Sequence, residues 1–290
     1  MMNFNARLSG FLLLFALVPV STQANAQTTY TFTTFTVPNS TYTSPAAIDE
    51  SGDVTGFYGA PVTGAQTGFL RTSSGKVITI SYPPGATSTI AAGMNKFGVI
   101  AGAYLVGTST GGFFYHKGVY TNVVVNGQPA TVGDINDYGY YVGSYGGPRS
   151  FTGFVASPTG HVRTIQYPGG YFSGPVWIKN SGEIIGTYED QFGNLHTFAW
   201  NAKSGYKTIS IPGVPGAIIT DINSSEIVVG GYFNGVTDRG FVYQKGKFQI
   251  VQPPGANDSS ITAINNKGQL AGSYTTPGSM YIGFIATPVP

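Results

Sequence analysis

The residues with the chemistry to act on a ligand fall mainly in one short segment of the chain. Residues 189–196 hold two carboxylates and an imidazole, those of Glu189, Asp190 and His196. Such groups accept hydrogen bonds from a ligand and can also transfer protons. Further polar and aromatic candidates at loop positions are Tyr42, Arg149, Tyr171, Tyr188, Asp238 and Arg239. We expect these residues to form one ligand-binding surface, against the simpler alternative of an ordinary solvated surface.

Two enzymatic interpretations use the same residues. A glycoside hydrolase needs two carboxyl groups at a defined separation, and the candidates are Glu189 or Asp190 together with Asp238. A polysaccharide lyase needs a base, and a cation to neutralise a uronate carboxylate. The residues for these two roles are Tyr188 or His196 as the base and Arg149 or Arg239 as the cation. No nucleophile elbow or other catalytic motif accompanies them, so a non-enzymatic protein is the favoured interpretation.

A second set of candidates occupies one equivalent position in three successive repeats of the chain. Asp134, Trp177 and Asp221 each precede an Ile at the end of a short apolar segment, where other repeats have Ala or Gly. If these segments line a central channel, the three side chains form a constellation at its mouth. The alternative is that each aspartate hydrogen-bonds a neighbouring turn and holds two repeats together.

A repeated motif must position all of these residues. Its clearest copy is residues 264–274, Ile-Asn-Asn-Lys-Gly-Gln-Leu-Ala-Gly-Ser-Tyr, and each copy closes on Gly-x-Tyr. The glycines of that ending lie at positions 56, 102, 143, 186, 230 and 272, so successive copies are 41 to 46 residues apart. A fixed period of this length is typical of propellers, solenoids and tandem arrays.

Each repeat predicts four strands, which we label a to d. Strand a ends in Ile-Asn, and an Asn-x-x-Gly turn such as residues 136–139 leads into strand b. Strand b alternates, as in Ile100, Gly102 and Tyr104, which is the period of a strand. Strand c opens with Gly-Phe in five copies, and strand d ends near a proline in most. We expect the strand b glycine to leave room for an aromatic ring, the strand c Phe of a neighbouring repeat.

The two chain ends share one repeat. The sixth repeat supplies strands a, b and c, while residues 30–38 have the spacing of strand d. Pairing of that N-terminal strand with the last sheet would close a ring and protect its edges. We therefore predict an all-β protein, a six-bladed β-propeller of four-stranded antiparallel blades, forming a single domain over residues 27–290. A parallel solenoid is the main alternative, but it needs no shared first and last unit.

The motif also resembles a known family. Asn-x-x-Gly-x-Ile-x-Gly-x-Tyr, followed by His-x-Phe or Gly-Phe and a strand ending in Pro-Gly, is similar to the extracellular repeats called HAF repeats. His196-Thr197-Phe198 is the closest copy of the naming tripeptide, with Thr in place of Ala. The resemblance covers nearly all of the chain after residue 26. It implies export and a repeat fold, and it implies no particular activity.

The first 26 residues have the pattern of a signal peptide. Arg7 is followed by an apolar run over residues 11–18 and then by Ala24-Asn25-Ala26. We expect cleavage after Ala26, which makes Gln27 the first mature residue. Neither this run nor any later one is long enough for a membrane span, so a secreted or periplasmic protein is expected.

Composition limits the partners and cofactors. The chain has no cysteine, which excludes disulfides and thiolate sites. Only 9% of its residues are charged, whereas nucleic-acid binding needs clustered Lys and Arg. His116, His161 and His196 fall in separate repeats without ligand spacing. We expect no metal, no cofactor and no nucleic-acid partner.

These observations favour an exported, monomeric, non-enzymatic binding module that presents one propeller face to a glycan or an extracellular protein. A polysaccharide-active enzyme is one alternative. A structural cell-surface repeat protein that associates through apolar patches is another. The six Gly-x-Tyr tyrosines could form an aromatic ring for sugar stacking, but their presence in every repeat favours packing anchors.

Overall fold

The computed structural model describes residues 27–60, 65–146 and 151–289. The expected signal peptide and its cleavage site at Ala26 lie outside these residues, as does Arg149. Within the described ranges the chain forms β-strands and connecting turns, with no helix. The N-terminal strand is β1 (Tyr30–Phe35).

The remaining strands follow the predicted order a, b, c, d in each repeat. Repeat 1 has β2 (Thr43–Ile48), β3 (Val54–Gly59), β4 (Gln66–Arg71) and β5 (Val77–Ile80). Repeat 2 has β6 (Ser88–Met94), β7 (Ile100–Val106), β8 (Ser109–His116) and β9 (Val119–Val125). Repeat 3 has β10 (Gln128–Ile135), β11 (Tyr141–Tyr145), β12 (Thr152–Ala156) and β13 (Val162–Ile165).

The second half of the chain continues in the same way. Repeat 4 has β14 (Ser173–Ile178), β15 (Ile184–Glu189), β16 (Leu195–Asn201) and β17 (Gly205–Ile209). Repeat 5 has β18 (Ile218–Ile222), β19 (Val228–Phe233), β20 (Asp238–Gln244) and β21 (Lys247–Ile250). Repeat 6 has β22 (Asp258–Ile264), β23 (Leu270–Thr275) and β24 (Ile282–Pro288).

The recurring Asn-x-x-Gly segment between strands a and b forms the predicted turn. In repeat 3, the Gly139 N–H donates to the Asn136 carbonyl at 3.1 Å, and Gly139 has a φ of +77°. Such a φ is easily adopted only by glycine. The Asn136 side-chain oxygen accepts from the N–H groups of Tyr138 and Tyr140, each at 3.0 Å. The side chain therefore orders the whole turn.

Strands b and c pack through the glycine and phenylalanine of the motif. Gly272 and Phe284 are opposite each other in register, and a Cβ on Gly272 would lie 2.7 Å from the Phe284 ring. The same arrangement occurs at Gly56, Gly102, Gly186 and Gly230. We predicted that a phenylalanine of a neighbouring repeat fills the space beside this glycine. That prediction was wrong, because the ring that fills it belongs to the cross-strand partner in the same sheet. These phenylalanines are fully buried.

The N-terminal strand pairs with the last repeat, as the chain-end spacing predicts. β1 is antiparallel to β24, with Tyr30 opposite Pro288 and Phe35 opposite Gly283. The resulting sheet has the order β1-β24-β23-β22. The Phe35 ring also packs edge-on against Phe69 of repeat 1, with centroids 6.1 Å apart. This strand therefore contacts both the last and the first repeat.

The division into sheets is less regular than the repeats suggest. Repeats 4 and 5 and the shared sheet of repeat 6 are separate four-stranded sheets, while repeats 1 to 3 join into one sheet of twelve strands. One junction is a single parallel pair between Gln66 and Ser88. The other is a direct hairpin from β9 to β10. Repeat 2 lacks the strand-ending proline, and the tight Asn126–Gly127 turn replaces the usual d–a loop.

Candidate functional site

The b–c and d–a loops lie side by side at one end of the strands. In repeat 4, the Tyr171 N–H donates to the Glu189 carbonyl at 2.9 Å, and the Glu189 N–H donates to the Phe172 carbonyl at 3.0 Å. In repeat 1, Thr41 and Tyr42 pair with Gly59 in the same way. The a–b and c–d turns lie at the opposite strand ends. We call the surface formed by the b–c and d–a loops the loop face.

The b–c loop of repeat 4 is organised around Asp190. Its carboxylate accepts from the N–H groups of Phe192 and Asn194 at 2.8 and 2.9 Å, and from the Asn194 side-chain amide. It also pairs with His196 Nε2 at 2.9 Å. The hydrogen bonds from His196 and Asn194 hold the pKa of Asp190 well below its usual range. Asp190 is therefore ionised at neutral pH and fixes the hairpin.

Two candidate residues beside Asp190 are stacked. The Tyr188 ring lies parallel to the Tyr167 ring with centroids 3.8 Å apart, and it also stacks with the His196 ring at a centroid distance of 5.0 Å. Partial burial raises the pKa of the Tyr188 hydroxyl above its ordinary value of 10.0. A raised pKa makes this tyrosine a poorer base at neutral pH. The arrangement is that of a rigid aromatic platform.

Tyr171 and Glu189 complete the repeat 4 group. Tyr171 is 73% exposed, and the Glu189 carboxylate accepts no hydrogen bond from the described part of the chain. Phe192, at the tip of the same loop, is 79% exposed. Tyr171, Tyr188, Glu189, Asp190 and His196 thus lie on adjoining loop segments of repeat 4, with their side chains partly open to solvent.

A cleft opens on the loop face between repeats 5 and 6. Its volume is about 370 Å³, and the residues that line it include Tyr232, Phe233 and Tyr281 together with the acidic residues Asp238 and Asp258. Thr220, Ser259 and Ser260 also line it. Aromatic faces with a few convergent polar groups are typical of a small-ligand site.

Asp258 anchors the acidic side of this cleft. Its carboxylate accepts from the Asp238 N–H at 3.2 Å, from the Thr275 hydroxyl at 3.0 Å and from the Asn257 amide at 2.8 Å. The Asp238 N–H, first among these partners, holds the pKa of Asp258 below its ordinary value. Arg239 is held by the Asn257 carbonyl at 2.6 Å. The carboxylate is therefore ionised and rigidly placed.

Tyr42 belongs to a third location, in repeat 1. Its hydroxyl accepts from the Gln66 side-chain amide at 3.1 Å, and its ring packs edge-on against Phe57. The predicted single surface is therefore distributed over three places on the loop face. These are the repeat 4 group, the cleft with Asp238 and Arg239, and Tyr42.

The Gly-x-Tyr tyrosines pack against aromatic rings of their own repeat or of the loop that precedes it. The rings of Tyr145, Tyr232 and Tyr274 lie 6.0 to 6.4 Å from the strand c phenylalanine of the same repeat. Tyr104 packs instead edge-on against Tyr82, at 5.8 Å. This packing agrees with the anchor interpretation, and only Tyr232 also lines the cleft.

The strand a candidates join successive repeats. Asp134 accepts from the Ile178 N–H of repeat 4 at 3.0 Å, and Asp221 accepts from the Ile264 N–H of repeat 6 at 2.9 Å. Asp134 and Asp221 each keep part of their surface accessible to solvent, but their carboxylates are surrounded by protein atoms. Burial raises the pKa of Asp134 to about 7 and that of Asp221 to about 6. Trp177 packs on the core of repeats 4 and 5.

Among the cleft residues that were not singled out from the sequence are Phe233, Asp258 and Tyr281. Phe233 directly follows the Gly-x-Tyr of repeat 5, and Tyr281 lies two residues before the Gly-Phe of repeat 6. Their nearness to the motif is a usable signal, because both positions flank a b–c loop. Asp258 opens a strand a that no other feature distinguishes.

Two general features bear on the site. The described residues contain no group of three or more His, Asp or Glu side chains placed to hold a metal ion. The same residues contain no helix of the length and apolarity needed to cross a bilayer.

Comparison with known proteins gives structural matches. No family model and no curated protein matches the chain. Among solved structures, AofleA from Arthrobotrys oligospora is similar with a TM-score of 0.56 and 13% identity, over 92% of this chain and 88% of that one. TolB from Acinetobacter baumannii has a TM-score of 0.57 and 11% identity, over 80% of this chain and 63% of its own length.

A third similar solved structure is itself described as a β-propeller domain. The β-propeller domain of the trilobed protease from Pyrococcus furiosus has a TM-score of 0.50 and 10% identity, over 88% of this chain and 84% of that one. At these identities the likeness shows the fold alone. The protein is a β-propeller with a cleft and an aromatic-acidic loop group on one face.

Proposed function

We propose that this protein is an exported, non-enzymatic β-propeller that binds a glycan through its loop face. The cleft between repeats 5 and 6 carries the proposal. Two of its walls are the exposed rings of Phe233 and Tyr281, which suit the C–H faces of a sugar. The acidic residues Asp238 and Asp258 beside them can accept hydrogen bonds from sugar hydroxyls.

The proposal includes a closed ring of six blades. Side-chain amides of the a–b turns support it, since each donates to the backbone carbonyl at the same position in the next repeat. The pairs are Asn95 to Asn136, Asn136 to Lys179, Asn223 to Asn265 and Asn265 to Asp49, at 2.8 to 3.3 Å. The last pair spans the chain ends, as does the pairing of β1 with β24.

Export and family membership are also part of the proposal. They are supported by the signal-peptide pattern of residues 1–26 and by the HAF-type motif in each repeat. Intact-mass spectrometry of the protein secreted from a bacterial host should give the mass of residues 27–290, with or without the loss of ammonia on cyclisation of Gln27. A mature protein that starts at Met1 in the cytoplasm would contradict export.

One observation favours an enzyme as the second candidate. The Asp190–His196 hydrogen bond orients an imidazole on the loop face, as a carboxylate orients a catalytic base. In that case, incubation with a bound polysaccharide should yield shorter products, and His196→Ala should abolish them. Binding without products keeps the non-enzymatic proposal.

A glycan array with the chain from Gln27 to Pro290 tests the main proposal. We expect selective binding that Phe233→Ala weakens. Phe97→Ala is the matched control, because Phe97 is 60% exposed and Phe233 62% exposed, but Phe97 lies in an a–b turn on the opposite face. A blank array, or equal weakening by both variants, would contradict binding at the cleft.

A further inference from the structure

We propose that the cleft between repeats 5 and 6 binds the ammonium group of an amine-bearing sugar. This inference rests on the proposed glycan-binding function and adds the chemical class of the ligand. Three features of the cleft lead to it: the charge of its polar wall, the rigidity of its aromatic wall and its size.

The polar wall has more acidic than basic groups, because Asp238 and Asp258 both line it and Arg239 is the one basic group whose charge acts on Asp258 among the described residues. The described residues place no Lys or Arg nitrogen within 4.0 Å of either carboxylate. The Arg239 guanidinium donates to the carbonyls of Asp238 and Asn257, and its charge helps to lower the pKa of Asp258 without a direct ion pair. Arg239 offsets only one of the two acidic charges, so a ligand cation would be attracted to this wall.

The two carboxylates differ in what they can offer a ligand. Asp258 is held in place by the Asp238 N–H, the Thr275 hydroxyl and the Asn257 amide. The Asp238 carboxylate accepts no hydrogen bond from the described part of the chain. It is therefore the free acceptor for an ammonium donor, while Asp258 supplies a fixed charge behind it. A charge-assisted hydrogen bond of this kind is stronger than one to a neutral hydroxyl.

The aromatic wall suits a cation and is already in position. The Tyr232 ring is held edge-on by Phe248 at 5.4 Å and by Phe241 at 6.4 Å. Phe233 and Tyr281 present exposed rings beside it. The faces of aromatic rings attract ammonium groups, so carboxylates and rings favour the same ligand charge.

The size of the cleft favours a sugar over a protein surface. Its volume of about 370 Å³ is within the range of about 300–1,000 Å³ typical of small-ligand pockets. A lysine side chain could supply the same ammonium group. The ring faces, however, also match the C–H face of a pyranose, which a lysine side chain lacks.

The test compares two sugars that differ in one group. Isothermal titration calorimetry of residues 27–290, which contain all 24 strands, would use a glucosamine hexamer and its fully N-acetylated counterpart. We expect about tenfold tighter binding of the glucosamine hexamer, and weaker binding at high salt. Asp238→Asn should remove most of that preference while leaving the affinity for the acetylated hexamer within about threefold. Thermal melting of Asp238→Asn should match the parent, because the carboxylate is exposed.

The remaining outcomes would each overturn a stated part of the proposal. Equal affinity for the two hexamers, or a preference unchanged in Asp238→Asn, would overturn the assignment and keep a neutral glycan as the ligand. An oligolysine peptide that binds more tightly than the glucosamine hexamer would overturn the sugar in favour of a basic peptide. Absence of binding to every glycan would contradict the proposed function as well.

Discussion

Asp134 and Asp221 each accept a backbone hydrogen bond from strand a of the following repeat. Hydrogen bonding favours their ionised form, but burial has the larger effect and raises the pKa of both. Asp221 and Asp137 add negative charge near Asp134, whereas Lys179 offsets part of the burial effect at Asp221. Ionisation of either residue therefore costs free energy in the folded state.

This cost predicts how stability depends on pH. Their pKa values rise from 3.8 to about 7 and about 6 on folding. The stability from the protonated forms is therefore fully present below pH 3.8 and is lost as the pH rises through 6 to 7. The double variant Asp134→Asn/Asp221→Asn should show a higher Tm at pH 8 and a flatter Tm profile between pH 4 and 8. An unchanged slope would show that these aspartates do not titrate in this range.

The position of Asp134 and Asp221 before Ile-Asn was enough to predict that both lie in strand a. The sequence did not predict which backbone groups their carboxylates contact. That Asp134 reaches the N–H of Ile178, 44 residues further along the chain, depends on how two strands sit across a repeat boundary. No local pattern encodes that distance.

At the scale of strands, the packing of b against c depends on the missing side chain of the motif glycine. A Cβ on Gly272 would meet the Ser260 carbonyl oxygen as well as the Phe284 ring. Backbone oxygen and a fully buried ring cannot both move away. The strand pair therefore tolerates only glycine at this position.

Gly272→Ala should destabilise the fold by about 1–3 kcal/mol, the usual range for overpacking a core. Gly174→Ala is the matched control, because it also lies in a strand but a Cβ there has no atom within 4 Å. Urea denaturation of the two variants measures the difference. Equal free energies of unfolding would mean that the strand b glycine has no packing role.

The strand pattern itself could be predicted from the sequence. Alternation, the Asn-x-x-Gly turns and the Gly-Phe starts are local signals. The hydrogen bonds of the Asn136 side chain in its turn, for example, join residues two and four positions apart. The neighbour that fills the glycine gap was predicted wrongly. Both a cross-strand and an adjacent-sheet phenylalanine are compatible with the same pattern, and only the register of β23 and β24 selects between them.

At the scale of the whole molecule, β1 joins the beginning of the chain to its end. It pairs along its full length with β24, and Phe35 packs on Phe69 while Arg71 lies over the Phe35 ring at 4.8 Å. Removal of this strand would expose the edge of β24 and one side of repeat 1.

Deletion of residues 27–38 should therefore lower the Tm by roughly 10 °C or more, given how Tm scales with stability in a domain of this size. The control deletion of residues 27–29 leaves β1 intact and should shift the Tm by much less. Differential scanning calorimetry compares the two. If the longer deletion melted like the control, the strand would have no role in holding the chain ends together.

The sequence by itself determined the all-β class, the repeat boundaries, the a–b turns and the pairing of the N-terminal strand. These follow from local periodicity and from a missing strand at one chain end. It also predicted that charged and aromatic residues of repeats 4 and 5 face the same side. The tertiary structure alone decided which of them meet. Asp238 shares a cleft with Asp258 and Tyr281 of the next repeat, because that contact depends on the relative position of two sheets, which no periodic pattern of side chains specifies.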